Sequence, residues 1–377
     1  MKAFSFLATI LFSAALSNAQ AEITVGVTLS ATGPAASLGI PEKNMIALLP
    51  KTLGNEMVTY VVLDDATDPT IAAKNVQKLV FESKIDVLIG SSTVPTCLAA
   101  ARVAAESRTP VLAMAPFNTP PEIAPWVFQT AQSVALVARV VVGHMKSAGI
   151  SSIGFIGFND AYGESWWSSL NQQAEAAGIK VVANERFNRS DTSVIGQALK
   201  IIGARPDAVF IAGSGTPSAL PEITLVEKGY KGKFYQSAGS TNLDFIRVGG
   251  KAVEGTILPA APMLVAEQLA DNNPAKQPAM DMIRLYEGAH GANSRSVFAG
   301  LAYDAYLLLQ KAVPEALKKA KPGTAEFRQA LRDALEGIKE MPATYGVFNL
   351  SSSNHNGLDE RAVVMIMVEG GTWKLIR

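Results

Sequence analysis

Apolar runs alternate with amphipathic stretches over the first part of the chain. Apolar residues at helical spacing predict helices, and apolar runs without polar alternation predict parallel strands covered on both faces by helices. The predicted strands are Ile23–Leu29, Val58–Leu63, Asp86–Ile89 and Pro110–Met114, and the predicted helices are Pro41–Leu49, Pro69–Glu82 and Pro95–Glu106. This order predicts a doubly wound α/β sheet.

The same pattern begins again after residue 133. A long amphipathic helix is predicted over Val134–Ser147, and further strands and helices alternate behind it. These strands are Ser152–Phe158, Lys180–Glu185, Ala208–Ile211 and Lys233–Tyr235, and these helices are Ser165–Ala177, Val194–Gly203 and Pro217–Lys228. The chain therefore predicts a second α/β sheet of similar size.

The last part of the chain has a different pattern. After Ala266 it predicts helices only, and the tail then returns to strands with a hairpin turn at Gly370–Gly371. The helices are Pro278–Ala289, Val297–Lys319 and Ala325–Glu336, and the strands are Gly346–Leu350, Ala362–Val368 and Thr372–Leu375. Helices without strands of their own must cover an existing sheet, but periodicity alone does not decide which one.

The N-terminus has the pattern of an export signal. Lys2 precedes an apolar run from Phe4 to Leu16 that is too short to span a bilayer, and Ala19 and Ala21 give the A-x-A spacing of a cleavage site. We therefore expect residues 1–21 to be a signal peptide cleaved near Ala21. The only cysteine, Cys97, lies far from this site, so we expect no lipid anchor in the membrane.

Composition narrows the possible functions. Lys plus Arg and Asp plus Glu are 33 each, so no basic excess favours nucleic acid or an anionic membrane. One cysteine permits no internal disulfide, and stability must come from apolar cores that the 48% hydrophobic residues can supply. A chain of 377 residues is too long for one typical core and favours two domains.

Four loops follow predicted strands and carry hydroxyl, glycine or aromatic residues. In open α/β sheets, ligands bind beyond the carboxyl ends of the strands, where helix N-termini are exposed. The loops are Gly90–Thr96, Ala115–Thr119, Asn159–Glu164 and Gly213–Pro217. Their hydroxyls either bind a small anion or only cap helices, and Tyr162 either stacks on a ligand or fills the seam between helix and sheet.

Motifs for catalysis or cofactors are missing from the sequence. His144, His290 and His355 have no metal-ligand neighbour at helical spacing, and no dinucleotide, Walker or G-x-S-x-G motif occurs in the required context. We therefore expect no enzyme activity, no metal and no cofactor.

Several motifs occur together in a recognisable order. They are Ile23–Val27 with Ser30, Thr32–Pro34 and Leu38-Gly39; Asp64-Asp65; Gly90–Thr96; Ala115-Pro116 with Thr119-Pro120; and Tyr162–Glu164. In this order, behind a signal peptide, they resemble the periplasmic solute-binding proteins of the Leu/Ile/Val type, which feed ABC importers. The resemblance covers essentially the whole mature chain.

The resemblance implies the type I periplasmic binding protein fold, in which two α/β lobes are joined by three crossover segments and close around one ligand. The late helices would then cover the first lobe, and the final strands would join the second. Lobe 1 would comprise residues 22–139 plus 268–345, and lobe 2 residues 140–267 plus 346–377. We expect a periplasmic monomer without catalysis, whose partners are a small carboxylate ligand and the permease subunits at the membrane.

The resemblance also implies the ligand-binding residues. In the family, backbone N–H groups and hydroxyls of two loops in the first lobe hold the ligand carboxylate. The matching residues here are Ser92, Thr93 and Val94 in one loop and Phe117, Asn118 and Thr119 in the other. The second lobe would contribute Tyr162, Gly215, Thr216, Ala238 and Gly239, and Leu38 stands where the family usually has an aromatic contact.

Two departures from the family pattern bear on the ligand. Amino-acid-binding members usually have an acidic residue in the loop at 236–240, which pairs with the ligand ammonium, but no acid lies between Gly232 and Asn242. An unpaired buried ammonium costs several kcal/mol. Phe117 also replaces a small residue and adds an aromatic wall. We therefore expect a carboxylate without an ammonium, such as a benzoate- or cinnamate-like acid, slightly ahead of a branched-chain amino acid.

Three alternatives stay open at this point. Asp160 or Glu164 could reach the cleft and pair with an ammonium, which would restore an amino-acid ligand. An amide or another small solute is the third ligand class. A protein with the same fold and cleft could also present its ligand to a receptor instead of a permease.

Overall fold

The computed structural model describes residues 22–376. The predicted signal peptide, residues 1–21, lies outside the described residues. No helix within the described part of the chain is both long and apolar enough to cross a membrane.

The first sheet is built from the first part of the chain. Its elements are β1 (Ile23–Leu29), α1 (Ala36–Leu48), β2 (Thr52–Leu53), β3 (Glu56–Asp64), α2 (Pro69–Phe81), β4 (Val87–Ile89), α3 (Val94–Glu106), β5 (Val111–Ala113) and β6 (Val127–Gln129). The strand order is β2-β3-β1-β4-β5-β6, and every pair is parallel except β2 with β3. The carboxyl ends of β1, β4 and β5 therefore meet at one edge, where the loops at Ser92 and Ala115 begin.

Helix α1 begins at Ala36, five residues before the predicted start at Pro41. Proline is favoured in the first turn of a helix, so the sequence pattern pointed to Pro41 as the beginning. In the structure Pro41 lies inside the helix, and Leu38 belongs to the first turn. The earlier start brings Leu38 to the edge of the sheet that carries the ligand loops.

The second sheet is larger. Its first elements are α4 (Val134–Ser147), β7 (Ser152–Phe158), α5 (Ala161–Ala177), β8 (Lys180–Phe187), α6 (Ile195–Ala204), β9 (Ala208–Ala212), α7 (Ala219–Glu227), β10 (Lys233–Gln236), α8 (Leu243–Gly249) and β11 (Ile257–Ala260). Strands β8, β7, β9, β10 and β11 are parallel neighbours in that order. Strands β6 and β11 are too short to stand out as separate apolar runs in the sequence.

The last part of the chain is divided between the two sheets. Its elements are α9 (Lys276–His290), α10 (Val297–Leu317), α11 (Ala325–Glu336), β12 (Met341–Pro342), β13 (Val347–Phe348), β14 (Val364–Glu369) and β15 (Thr372–Leu375). Helix α10 packs against α1 and α11, whereas β14 pairs antiparallel with β11 and continues the second sheet into β15. Strand β13 pairs only with β12, so the predicted strand at Gly346–Leu350 does not join the second sheet.

The chain passes between the two sheets three times, between β6 and α4, after β11, and between β13 and β14. The expected boundary at residue 139 falls inside α4, which packs against α5 and β11 as one continuous helix. A single helix belongs to one side only, so the boundary does not pass through α4. The bounds of the two lobes stay a prediction.

Candidate ligand-binding site

A cavity lies where the loops at the carboxyl ends of both sheets meet. The space between the protein atoms there is about 570 Å³, and part of it is open to solvent. Its walls are mainly apolar, with contributions from both sheets and from α10. The residues that line it are Leu38, Ser92, Thr93, Val94, Met114, Ala115, Pro116, Ala131, Gln132, Val134, Val137, Tyr162, Trp166, Arg189, Ser214, Ala238, Gly239, Val297, Phe298, Leu301 and Tyr345.

The two halves touch each other at the rim of this cavity. The backbone N–H of Thr216 donates to Ser37 Oγ at 3.3 Å, which joins the loop after β9 to the first turn of α1. A Cβ atom on Gly215 would lie 2.6 Å from Ser37 Oγ and 2.7 Å from Leu38 Cδ1. The predicted residues Gly215 and Thr216 therefore form a contact between the halves and do not line the cavity, and the cleft is closed.

The loop after β4 places Ser92, Thr93 and Val94 in the cavity wall. The Thr93 hydroxyl lies 2.8 Å from Thr96 Oγ1, and the two residues form a capping box at the start of α3. This hydroxyl is therefore used for capping, as one of the two sequence readings stated. The backbone donors at this end of α3 are partly used as well, because the Thr93 N–H donates to Thr96 Oγ1 at 3.2 Å, the Thr96 N–H donates to Thr93 Oγ1 at 3.4 Å, and Pro95 has no N–H.

Arg189 is the one charged residue among those that line the cavity, and sequence reasoning missed it. Its Nε donates to Asp160 Oδ2 at 2.7 Å, and its Nη1 donates to Ser214 Oγ at 2.8 Å. The guanidinium also lies 4.1 Å from the centre of the Phe158 ring. Neither bond uses Nη2, so the guanidinium keeps donors for a ligand anion. Strand β8 extends to Phe187, two residues beyond its predicted end, and Arg189 follows it at the ligand edge, but no local sequence pattern indicated this.

The two acids that could have paired with an ammonium are bonded to other groups of the protein. Asp160 caps α5 by accepting from the N–H groups of Tyr162 and Gly163 at 2.9 and 3.2 Å, and it also holds Arg189. Glu164 pairs with Arg186 at 2.5 Å, and this bond lowers the pKa of Glu164. No Asp or Glu is among the described residues that line the cavity.

Tyr162 fills the seam between helix and sheet, as one of its two sequence interpretations stated, and stacking on a ligand stays a prediction. It lines the cavity, and it is also buried with 6% exposure in the seam between α5 and the sheet. Its hydroxyl donates to Ser237 Oγ at 3.1 Å, and burial raises the pKa of the phenol, which keeps it neutral. The neighbouring Trp166 is 1% exposed and lines the cavity, and its indole N–H has no acceptor among the described residues.

Phe117, Asn118 and Thr119 do not line this cavity. They lie in a separate surface depression beside His355. Gln129 on β6 holds the loop there, because it accepts from the Phe117 N–H at 3.2 Å and donates to the Phe117 carbonyl at 2.8 Å. Strand β5 ends at Ala113, one residue earlier than the sequence pattern indicated, so the residues at its carboxyl end are Met114, Ala115 and Pro116. The expected aromatic wall is formed by Trp166 and Phe298 instead.

Comparisons with known proteins agree with this architecture. A family model described as periplasmic binding protein matches residues 22–372. A Leu/Ile/Val-binding protein, BraC3 of Rhizobium johnstonii, is 25% identical over 344 residues, which cover 87% of each chain.

Two solved structures are also similar. An extracellular ligand-binding receptor from Rhodopseudomonas palustris is 44% identical, with a TM-score of 0.93 over 94% of this chain and 99% of the other. A solute-binding protein of an ABC transporter from the same species, in complex with 3,4-dihydroxybenzoic acid, has a TM-score of 0.79 at 20% identity over 94% and 96% of the two chains.

The second of these shows the fold alone, whereas the family model spans nearly all described residues. A closed cleft between two α/β sheets, lined by loops at the carboxyl ends of their strands, is the arrangement that the sequence motifs indicated. The chain therefore belongs to the periplasmic binding proteins, and its fold is the type I fold that the resemblance implied.

Proposed function

We propose that this protein captures a small carboxylate between its two halves in the periplasm and delivers it unchanged to the permease of an ABC importer. An aromatic acid is the favoured ligand, ahead of a branched-chain amino acid. The proposed contacts are Leu38, Ser92, Thr93, Val94, Tyr162, Ala238 and Gly239 from the sequence, together with Arg189 and Trp166 from the structure.

Arg189 is the observation that carries this proposal. Its guanidinium is 14% exposed and lies in the cavity wall, where a planar carboxylate can accept from it. Hydrogen bonds to charged groups contribute about 1.5–3 kcal/mol each when they are well formed. Because no carboxylate of the protein lines the cavity, an ammonium would be buried without a counter-charge, and a zwitterionic amino acid would bind less well than a simple acid.

The remaining walls suit a flat apolar body. Trp166 from the second half and Phe298 and Leu301 on α10 line the cavity. Aromatic side chains prefer offset or edge contacts with other rings, and such contacts contribute about 0.5–1.5 kcal/mol beyond burial. The fold neighbour that holds 3,4-dihydroxybenzoic acid supports an aromatic ligand, and the Leu/Ile/Val-binding relatives support the branched-chain alternative.

Calorimetric titration of the mature protein decides between these ligands. The probes are benzoate, 3,4-dihydroxybenzoate, leucine and benzamide, which has the same ring as benzoate without the negative charge. We expect at least one aromatic acid to bind about a hundredfold more tightly than benzamide and leucine, which corresponds to about 2.7 kcal/mol. Tight leucine binding without any response to aromatic acids would overturn the aromatic preference. If neither class binds, the proposal that the ligand is a carboxylate is overturned.

A receptor-presenting role is the second candidate, because a sensor would use the same closed cleft. Uptake of the radiolabelled ligand in cells that lack this protein separates the two roles. Loss of uptake supports import, and unchanged uptake with a lost chemotactic or transcriptional response supports sensing.

A further inference from the structure

A fully buried carboxyl group lies directly behind the wall of the cavity. Glu42, on α1, has no exposed surface, and its Oε2 lies within hydrogen-bond distance of Ser92 Oγ. Its other oxygen, Oε1, has no hydrogen-bond partner among the described residues. Ser92 itself lines the cavity, so Glu42 is one side chain away from any bound ligand.

The neighbouring carboxyl group, Asp65, is held in a different way. Its Oδ1 accepts from Ser30 Oγ at 2.7 Å and from the Thr67 N–H at 3.0 Å, and its Oδ2 accepts from the hydroxyl of Ser91. Burial raises the pKa of Asp65, but these donors oppose that effect and favour its ionised form. Glu42 has a single hydroxyl neighbour and an oxygen without a donor, which favours the neutral acid.

The groups that face Glu42 do not supply a positive charge. They are Asp65 in the turn after β3, Cys97 on α3 and Tyr345 in the segment between the sheets. Burial raises the pKa of Glu42 well above its usual range, and the nearby Asp65 adds to this effect. An ionised Glu42 would be a second buried anion beside Asp65, at a cost of several kcal/mol.

The position of one proton decides what Ser92 offers to the ligand. Ser92 Oγ already accepts from the Ser30 backbone N–H at 2.9 Å. If Glu42 is neutral, its O–H donates to Ser92 Oγ as well, and the hydroxyl hydrogen of Ser92 is left to point into the cavity. If Glu42 is ionised, that hydrogen is turned back toward Glu42 and the ligand loses a donor.

We propose that Glu42 is a positioning residue, held as a neutral carboxylic acid, that orients the Ser92 hydroxyl to donate to the ligand carboxylate. This inference rests on the proposed function of the cavity. Binding of an anion is then coupled to the proton on Glu42, because ionisation removes a donor and adds a negative charge behind the same loop. The affinity for a carboxylate falls as Glu42 loses its proton.

The test uses Glu42→Gln, which keeps the size and an N–H donor for Ser92 but cannot ionise. The matched control is Glu222→Gln, a second fully buried acid that does not contact the cavity wall. Benzoate or the tightest acid from the calorimetric series is titrated from about pH 6 to about pH 9, where the ligand stays ionised. Infrared difference spectra of the ligand-free proteins report the protonated carboxyl group directly.

Four results support the proposal. At about pH 6, Glu42→Gln lacks the infrared band of one protonated acid and binds the ligand within about threefold of the wild type. Ser92→Ala weakens binding about tenfold. Above the pH at which this band disappears in the wild type, the wild-type affinity falls by up to about tenfold per pH unit. The control keeps the wild-type slope, and Glu42→Gln has none.

Three results overturn it. These are an ionised Glu42 at about pH 6 in the spectra, equal pH slopes in the wild type and Glu42→Gln, or unchanged binding by Ser92→Ala. The infrared measurement needs no ligand, so it distinguishes failure of this inference from failure of the proposed function. If the proposed function fails instead, no carboxylate binds at any pH although Glu42 is protonated.

Discussion

The two halves of the molecule contribute different chemistry to one cavity. The first half offers hydroxyls at the start of α3, which carry no full charge. The second half offers the guanidinium of Arg189, which is held in place by Asp160. If the ligand is the carboxylate that we propose, its full recognition requires both halves at once, and charge recognition is coupled to closure.

A second contrast concerns the acid buried in each half. Glu42 touches the cavity wall through Ser92 and has an unpartnered oxygen. Glu222, on α7, has both oxygens in hydrogen bonds, since Oε2 accepts from Gln236 at 2.8 Å and Oε1 accepts from the Thr256 hydroxyl. Burial alone thus does not mark a group that acts on the ligand. The contacts of the group decide whether its proton is linked to binding or only to folding.

The largest expected effect concerns the stability contributed by Glu222. Burial raises the pKa of Glu222 to about 7, whereas an unfolded glutamate titrates near 4.3. Its contribution to the free energy of unfolding is therefore fully present below about pH 4 and is lost as pH rises through about 7. This change is on the order of 3 kcal/mol.

Urea unfolding of the wild type and Glu222→Gln from about pH 5 to about pH 8 measures this contribution as a difference. Subtracting the two curves removes the effects of the other buried acids, Glu42 and Asp304. A difference that does not change with pH would mean that Glu222 does not titrate in this range.

The next effect concerns charge recognition in the second half. Arg189→Met keeps the length of the side chain and removes its charge, so we expect the dissociation constant for an aromatic acid to rise about a hundredfold, or about 2.7 kcal/mol. Arg186→Met is the matched control, because Arg186 pairs with Glu164 and does not line the cavity. Calorimetry should show no more than about a twofold change in the control. Equal losses in both variants would remove Arg189 from the site.

A smaller effect is expected from closure itself. Gly215→Ala places a methyl group against Ser37 and Leu38 across the rim, so it should favour the open form and weaken binding about tenfold. Gly250→Ala is a control for backbone strain, because Gly250 has a φ of 52° and a ψ of −132°, close to the 64° and −159° of Gly215, but nothing within 4 Å of its added Cβ. Small-angle scattering with ligand present should show a larger radius of gyration for the first variant only. If both variants close equally, the rim contact does not limit closure.

The smallest effect is expected at Tyr162. Tyr162→Phe removes a hydrogen bond to Ser237 while keeping the ring in the cavity wall, so affinity should change less than about threefold, and unfolding should lose about 1 kcal/mol. Tyr230→Phe removes a comparable bond, to the Pro206 carbonyl at 3.0 Å, far from the ligand. A much larger loss of affinity at Tyr162 than at Tyr230 would show that its hydroxyl contacts the ligand.

The sequence predicted the strongly patterned elements well, and the short strand Thr372–Leu375 too, but it missed other short strands. Ile23–Leu29, Val134–Ser147 and Ala325–Glu336 have the same bounds in the structure, because long unbroken patterns leave little choice of register. Strands β6 and β11 were missed, since three or four apolar residues between loops carry no period. The start of α1 was misplaced because proline is favoured in the first turn of a helix, whereas Pro41 lies inside α1.

The candidate site was predicted in part for similar reasons. Ser92, Val94 and Tyr162 follow strands whose ends are clear in the sequence, and they reach the cavity. Phe117 was assigned from the resemblance and does not reach the cavity, because Gln129 holds its backbone beside the neighbouring depression. Arg189 was missed because it reaches the site only when β8 is two residues longer than predicted, and no local pattern reports that length.

The contact between Ser37 and Thr216 joins the two halves through protein groups alone. In the proposed importer role, such a contact would favour the shut form whether or not cargo is held, and shut empty molecules would compete with loaded ones for the permease. A tighter rim would then improve retention of scarce cargo and also increase unproductive visits to the importer.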